Sequence, residues 1–594
     1  MITLDIYDVK SLIDVALGRR KADLVVKDGR LVNVCTGEII EHTGLAIKNA
    51  RIAFVGNVEE IQCDRSSVIN AKGSYLVPGF IDGHVHIESS MLTLTQFARA
   101  ALPRGTTAVM MDPHEIANVL GIKGVQLMLR VASNLPLKVF AEMPSCVPSA
   151  PGLETTGATI NANDVKKAMT WKGVIGLGEV MNFPGVFEKS WKLLKEIEET
   201  EKSGRTVEGH APKLTEAQLN AYVASRIEGN HEATTADYAL QNLRLGMKLE
   251  LREGSTMRNM NELLKVLLKT KVDHRHCLFV SDDITAMDLV NNGHMNHIVR
   301  RAIEEGLDPI RAIQMATINT AEHFKVSKEV GMIAPGRIAD VLIMKNLKEM
   351  KPEKVIANGR VVAEDGILNA NIPNLEYPGY AKKTIHVGKQ LCAADFDIKS
   401  EVSDGPVKAL IIDVTKGGAV TRKLVLTIRV KDGIVESDPA NDIIKIGVVE
   451  RHKATGNVGK GFVKGFGMKK GAIASTVAHD AHNIVVLGVR SGDMAFAANI
   501  VSDMDGGLTA VESGHVLAKL ALPIAGLMSD KPADEVANKA EALNAAAKKL
   551  GAKVDEPFSV LSFMSLAVLP ELRITDKGLV DVNKLSITSV LVAD

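Results

Sequence analysis

The sequence predicts an α/β protein: a (β/α)8 barrel inserted in a small β-sandwich, followed by a C-terminal α/β (α+β) domain. Three observations lead there. Eight short apolar runs alternate with helix-patterned runs between residues 78 and 283. Short β-prone runs broken by turn dipeptides flank that region on both sides. A stretch near 372–380, rich in Pro and Asn, then precedes a remainder of separate α/β texture. The chain has 594 residues, too many for one ordinary domain. The expected divisions are 1–77 and 331–380 for the two parts of the β unit, 78–330 for the barrel and 381–594 for the C-terminal domain.

In order, Val9 to Arg20 reads as a helix. Ala22 to Lys27 and Arg51 to Gly56 read as strands, and Asp28-Gly29 as a hairpin signal. The barrel strands are expected at 78–86, 106–112, 137–145, 174–181, 205–210, 227–231, 248–253 and 276–282. Helices are expected between them, at 115–131, 187–203, 214–225, 235–245 and 260–269, with another at 309–323. An Asn358-Gly359 turn marks the return of the β unit. Farther on, Lys408 to Val414 and Leu424 to Val430 read as strands, and Pro532 to Leu550 as an amphipathic surface helix.

Composition excludes several classes. Lys plus Arg and Asp plus Glu stand at 71 each, and aromatics at 4%. Neither a nucleic-acid footprint nor an anionic-membrane surface follows from that balance. Five cysteines (Cys35, Cys63, Cys146, Cys277, Cys392) form no C-x-x-C, which argues for a reducing compartment and against a thiolate zinc site. Met1 to Asp5 shows no leader pattern and no run is long enough to span a membrane, so the expected location is the cytoplasm.

The chemistry begins in Phe80-Ile81-Asp82-Gly83-His84-Val85-His86-Ile87-Glu88. Side chains two apart on a strand share a face, so His84 and His86 can aim at one ion. Polar residues recur at the C-terminal ends of later strands: Asp112, Glu179, His210, His231 and Asp282. That end is where barrels of this kind carry their sites. Four imidazoles with Glu179 and Asp282 suit two borderline divalent metals, Mn, Fe or Zn, with a carboxylate bridging them.

Val77-Pro78-Gly79-Phe80-Ile81-Asp82-Gly83-His84-Val85-His86 resembles the opening of the amidohydrolase superfamily, and Ala334-Pro335-Gly336-Arg337-Ile338-Ala339-Asp340 its closing signature. Where many binuclear members carry a carboxylated lysine, this chain has Glu179, in Gly178-Glu179-Val180-Met181-Asn182. That departure argues against a dihydroorotase or hydantoinase and is similar to bacterial and archaeal adenine deaminases. Met111-Asp112-Pro113-His114-Glu115, Ala478-His479-Asp480-Ala481-His482-Asn483 and Leu569-Pro570-Glu571-Leu572 fit that family too. The other zinc-deaminase signature, H-x-E with P-C-x-x-C, fails for want of a C-x-x-C.

The resemblance implies a metal-dependent hydrolase barrel holding two divalent metals, Mn or Fe before Zn, on His84, His86, Glu179, His210, His231 and Asp282. It implies adenine as substrate, Glu179 as the bridging carboxylate and Asp282 as general acid/base. Glu88, Asp112, His114 and Asp283 become candidates to bind the purine, and a homodimer is expected. His479 and His482 are left between two readings, a cap over the site or a local turn. The alternatives are another cyclic amidine or amide, of cytosine or imidazolone type, and a metal-free scaffold.

Overall fold

A computed structural model describes residues 4–415 and 420–592. Residues 1–3, the start of the segment read for a leader, lie outside it. Strands from both flanks of the barrel join one hydrogen-bonded sheet. Val341–Met344 pairs antiparallel with Tyr75–Pro78, which pairs in turn with Leu24–Asn33. Asp28-Gly29 is not the hairpin turn that the dipeptide suggests. The strand Leu24–Asn33 runs through it with a bulge, Asp28 taking φ 57°, and the chain reverses only before Glu38. Asn358-Gly359 does turn the chain between Lys354–Ala357 and Arg360–Glu364, with φ 51° and 72°.

The barrel strands are β1 (Phe80–His86), β2 (Thr106–Met111), β3 (Lys138–Met143), β4 (Val174–Val180), β5 (Thr206–Gly209), β6 (Gly229–Asn230), β7 (Lys248–Arg252) and β8 (Cys277–Val280). A short ninth piece, β9 (Asp282–Asp283), continues β8 and pairs with β1, so the last strand meets the first. The strand ladder is interrupted between β5 and β6, but the Glu228 N–H donates to the Val207 carbonyl at 2.8 Å across that gap. Two expected helices are broken. Gly121, at φ 62° and ψ −148°, divides His114–Leu120 from Ile122–Ala132. Ala316-Thr317 divides Pro309–Met315 from Ile318–His323.

Strand alternation sorts the barrel's side chains. Met110, Phe140, Leu278 and Val280 pack with Phe324 into an apolar plug inside the barrel. Asp112, Glu142, Glu250 and Arg252 follow on the same inward faces, nearer the C-terminal ends, and are buried. The polar layer therefore lies above the plug.

Beyond the irregular stretch after Leu368, a nine-stranded sheet runs from Ile434–Val435 at one edge to His515–Ala521 at the other. The helix Ala533–Lys549 buries Val536, Ala540, Leu543 and Ala547 on one face, the stripe its sequence predicts. This unit docks on the mouth of the barrel through backbone bonds. Thr93 N–H donates to Ser529 O at 2.9 Å and Ser529 N–H to Met91 O at 2.8 Å.

Candidate metal centre and its cover

β1 carries a register shift between Asp82 and Val85. Both its histidines turn to one point, His84 Nε2 and His86 Nε2 lying 3.1 Å apart. The His86 orientation is set from behind, where its Nδ1 lies 3.0 Å from the Asp112 carbonyl, so Nδ1 carries the proton and Nε2 offers its lone pair. Glu179, at the end of β4, spreads its two oxygens between different imidazoles. Oε1 lies 3.4 Å from His86 Nε2. Oε2 lies 2.6 Å from His210 Nδ1 and 3.1 Å from His231 Nε2. Burial would raise the Glu179 carboxyl, but His210 and His231 hold it well below the usual carboxylate range.

Asp282 closes the ring of donors, its Oδ1 3.1 Å from His86 Nε2. Its backbone takes φ 57°, a left-handed conformation uncommon outside glycine. The clamp below it is visible. Asp82 accepts the Ser281 N–H at 3.0 Å and lies 2.9 Å from His294 Nε2. On the other side Arg252 Nη1 donates to Asp282 Oδ2 at 2.7 Å and also to Glu232. Burial pushes the Asp282 carboxyl up, but Arg252 and His86 prevail and keep it ionised.

These donors suit metal ions. The ligand atoms of His84, His86 and Glu179, of His84, His231 and Asp282, and of Glu179, His210 and His231 each fall within 4.8 Å of one another. His84 Nδ1, His210 Nε2 and His231 Nδ1 are buried without a hydrogen-bond partner. Two of these face away from the centre, His84 Nδ1 toward Glu142 and His231 Nδ1 toward Glu250; the nitrogens turned inward and the oxygens of Glu179 and Asp282 crowd one buried space at a cost that a cation relieves.

The four remaining candidates lie in different surroundings. Asp112 Oδ2 accepts the Glu179 N–H at 3.0 Å and so braces the strand end. A side chain at Gly178 would place its Cβ 2.2 Å from that oxygen, so only glycine fits there. His114 Nδ1 lies 3.5 Å from Glu179 Oε1. Glu88 Oε1 accepts the Ile116 N–H at 3.1 Å, and burial beside Glu115 pushes its carboxyl to about 7. Asp283 alone of the four lines the adjoining cavity, accepting the Ser89 hydroxyl. His482 satisfies a local turn, its Nδ1 accepting the Ala478 N–H at 3.2 Å, whereas His479 reaches Glu115.

Comparisons with known proteins fit this arrangement. Residues 75–362 match the model of the amidohydrolase family, and residues 418–586 that of the adenine deaminase C-terminal domain. The chain is 48% identical to an adenine deaminase of Moorella thermoacetica, over 96% of both chains. It is 44% identical to one of Clostridium botulinum (strain Loch Maree) over 98% of both, and 46% identical to adenine deaminase 3 of Rhizobium meliloti, again over 98% of both. The chain belongs to the adenine deaminase family. Members of the amidohydrolase family are metal-dependent, and the buried His, Asp and Glu groups here can hold metal.

For an adenine deaminase family member, the residues that sequence reasoning passed over are informative. Arg252, Glu142 and Glu250 are charged yet buried in barrel strands. Glu250 backs His231, its Oε2 3.4 Å from His231 Nδ1, and Glu142 stands 3.9 Å behind His84. The signal was a charge at alternate positions of Leu249-Glu250-Leu251-Arg252, in a strand buried on both faces.

Proposed function

We propose that the chain hydrolyses adenine to hypoxanthine and ammonia, with His84, His86, Glu179, His210, His231 and Asp282 holding two divalent metals, Mn or Fe before Zn. The observation that carries the two-metal reading is Glu179, whose two oxygens face separate imidazoles as a bridging carboxylate requires. When bound, such metals supply a water nucleophile at neutral pH and Lewis acidity. The chain's own residues do the rest. Asp282, kept ionised by Arg252, accepts a proton as water adds to C6 of adenine and returns it to the departing amine. Asp112 holds Glu179 in place through its backbone N–H. Asp283 and Glu88, with His114 near the bridge, bind and orient the purine beside the cavity that Asp283 lines. We further propose a cytoplasmic homodimer; five cysteines free of disulfides support the reducing compartment. No helix among the described residues is long and apolar enough to cross a membrane.

The test is ammonia release from a panel of adenine, cytosine and imidazolone compounds, with Mn or Fe added and hypoxanthine followed. Adenine is expected to turn over fastest. Turnover of another base with adenine inert refutes the substrate assignment. Well under one metal per chain, with no rescue by Mn or Fe, refutes the metal centre.

A further inference from the structure

A loop of the C-terminal unit reaches His114 and Glu115 beside the site. Residues 476–483 join the strands Ala472–Ser475 and Ile484–Gly488, and His479 and Asp480 on this loop are buried. Asp480 Oδ1 lies 3.7 Å from His114 Nε2. His479 Nδ1 lies 3.2 Å from Glu115 Oε1. The His479 backbone is tied on its own side: its N–H donates to Ser562 O at 3.1 Å, and its carbonyl accepts the Ser565 hydroxyl at 3.0 Å. The ring stacks on Phe563 with centroids 5.0 Å apart and planes 17° apart. With Nδ1 engaged by Glu115, Nε2 is the nitrogen left for a ligand.

His479 and Phe563 form part of one wall of a cleft that encloses about 500 Å³ when the open space at its mouth is counted. The wall on the barrel side contains Ser89, Asp283 and Thr285, and Phe558 stands with the C-terminal wall. Ser89, with its hydroxyl 2.8 Å from Glu115 Oε1 and also donating to Asp283, joins this wall to the carboxylate that His479 contacts. Asp283 follows Asp282 directly. A flat ring with its reacting carbon at Asp282 and its far end in this cavity would meet the imidazole and the phenyl rings of the C-terminal unit.

We propose that His479 is a substrate-binding residue. Its Nε2 hydrogen-bonds a nitrogen in the five-membered ring of a purine while Phe563 and Phe558 cover the ring's apolar surface. The C-terminal unit then sets the preference for a bicyclic over a monocyclic base. This assignment rests on adenine being the substrate. A pocket built to hydrogen-bond a ring nitrogen discriminates against an analogue lacking it, because its own polar group is left unpaired.

The test compares adenine, 7-deazaadenine and 9-deazaadenine as substrates of the metal-loaded enzyme and of His479→Phe and His479→Gln, with metal content measured for each. In the wild type one deaza analogue is expected to lose roughly tenfold to a hundredfold in kcat/KM. In His479→Phe the KM for adenine is expected to rise by a similar factor with kcat within about threefold, and the deaza penalty to vanish. His479→Gln, which keeps a hydrogen-bonding amide, is expected to recover part of the KM. If His479→Phe does not fold, the same comparison in His479→Gln decides, through a reduced deaza penalty. A deaza penalty undiminished in the variants, or an unchanged KM, overturns the proposal. A wild type inert toward adenine refutes the substrate reading instead.

Discussion

Asp282 shows how much the surroundings of one carboxylate matter. Its left-handed backbone is held by the Asp82–Ser281–His294 clamp below and by Arg252 beside it. Strain of this kind persists only where neighbours over-determine it. Replacing Arg252 with Met removes the buried guanidinium that pairs with both Asp282 and Glu232. Loss of a partner in such a pair costs about 3–5 kcal/mol. Arg252→Met is therefore expected to melt markedly lower and to lose kcat, and Arg252→Lys to recover only part, as differential scanning calorimetry and a steady-state assay would show. Glu179→Gln keeps the shape but not the charge. It is expected to lose at least one metal per chain and most of the activity; an unchanged metal content by elemental analysis would reject the bridging role. His84 and His86 were legible because strand alternation alone aligns them. Arg252 was not, because a charge in a short strand reads equally well as an exposed edge.

Among the elements, the strand ends hold the site and glycines decide their fit. The end of β4 at Glu179 needs Gly178, where a Cβ would meet the Asp112 carboxylate. Gly178→Ala is expected to cost about 1–3 kcal/mol by overpacking and to weaken metal binding. A denaturant melt and a metal titration would check both, and an unchanged metal affinity would separate the brace from the centre. The element types followed the periodicity of the sequence, but their ends did not. The strand expected at 227–231 shrinks to Gly229–Asn230, and Gly229 lets Glu208 and Glu250 approach closer than a Cβ would allow. The helix expected at 115–131 breaks at Gly121, whose dihedral angles no helix contains. At Gly121 the break is local, the glycine taking a conformation that L side chains rarely adopt. Asp28-Gly29 is the opposite case, in a strand: a turn dipeptide absorbed as a bulge because pairing continued beyond it.

At the scale of the whole molecule, the barrel lies between the flanking sheet and the C-terminal unit, and the loop after β3 is part of the second contact. Thr155 donates its N–H and hydroxyl to Asp576 at 2.9 and 2.7 Å. Next to it Glu154 is buried, and that burial pushes its carboxyl up to about 8. The folded chain thus keeps a proton that the unfolded chain releases above its ordinary value of 4.5. The stability present below pH 4.5 is lost as pH rises toward 8. Glu154→Gln is expected to melt increasingly above the wild type across that window, the gap growing by at most about 1.4 kcal/mol per pH unit. Parallel melting curves would reject the buried proton. Chelation is expected to lower the melting temperature and abolish turnover, with Mn or Fe restoring both. The site's first half was legible because its residues lie at the ends of strands in barrel order. The approach of His479 and Asp480 was not, since nothing local in Ala478-His479-Asp480-Ala481 says which surface that loop will face.

The separation of ligands from cover along the chain also orders events in time. The six proposed ligands lie between His84 and Asp282, and the loop that covers them is at 476–483. Chains emerge from the ribosome N-terminus first and domains fold as units. The donor cluster is therefore synthesised, and open to cations, well before its cover exists. Metal supplied during synthesis is expected to load the enzyme quickly. Metal supplied to finished, metal-free protein must enter past a docked wall, and its uptake is expected to be slower by a factor that stopped-flow mixing can measure.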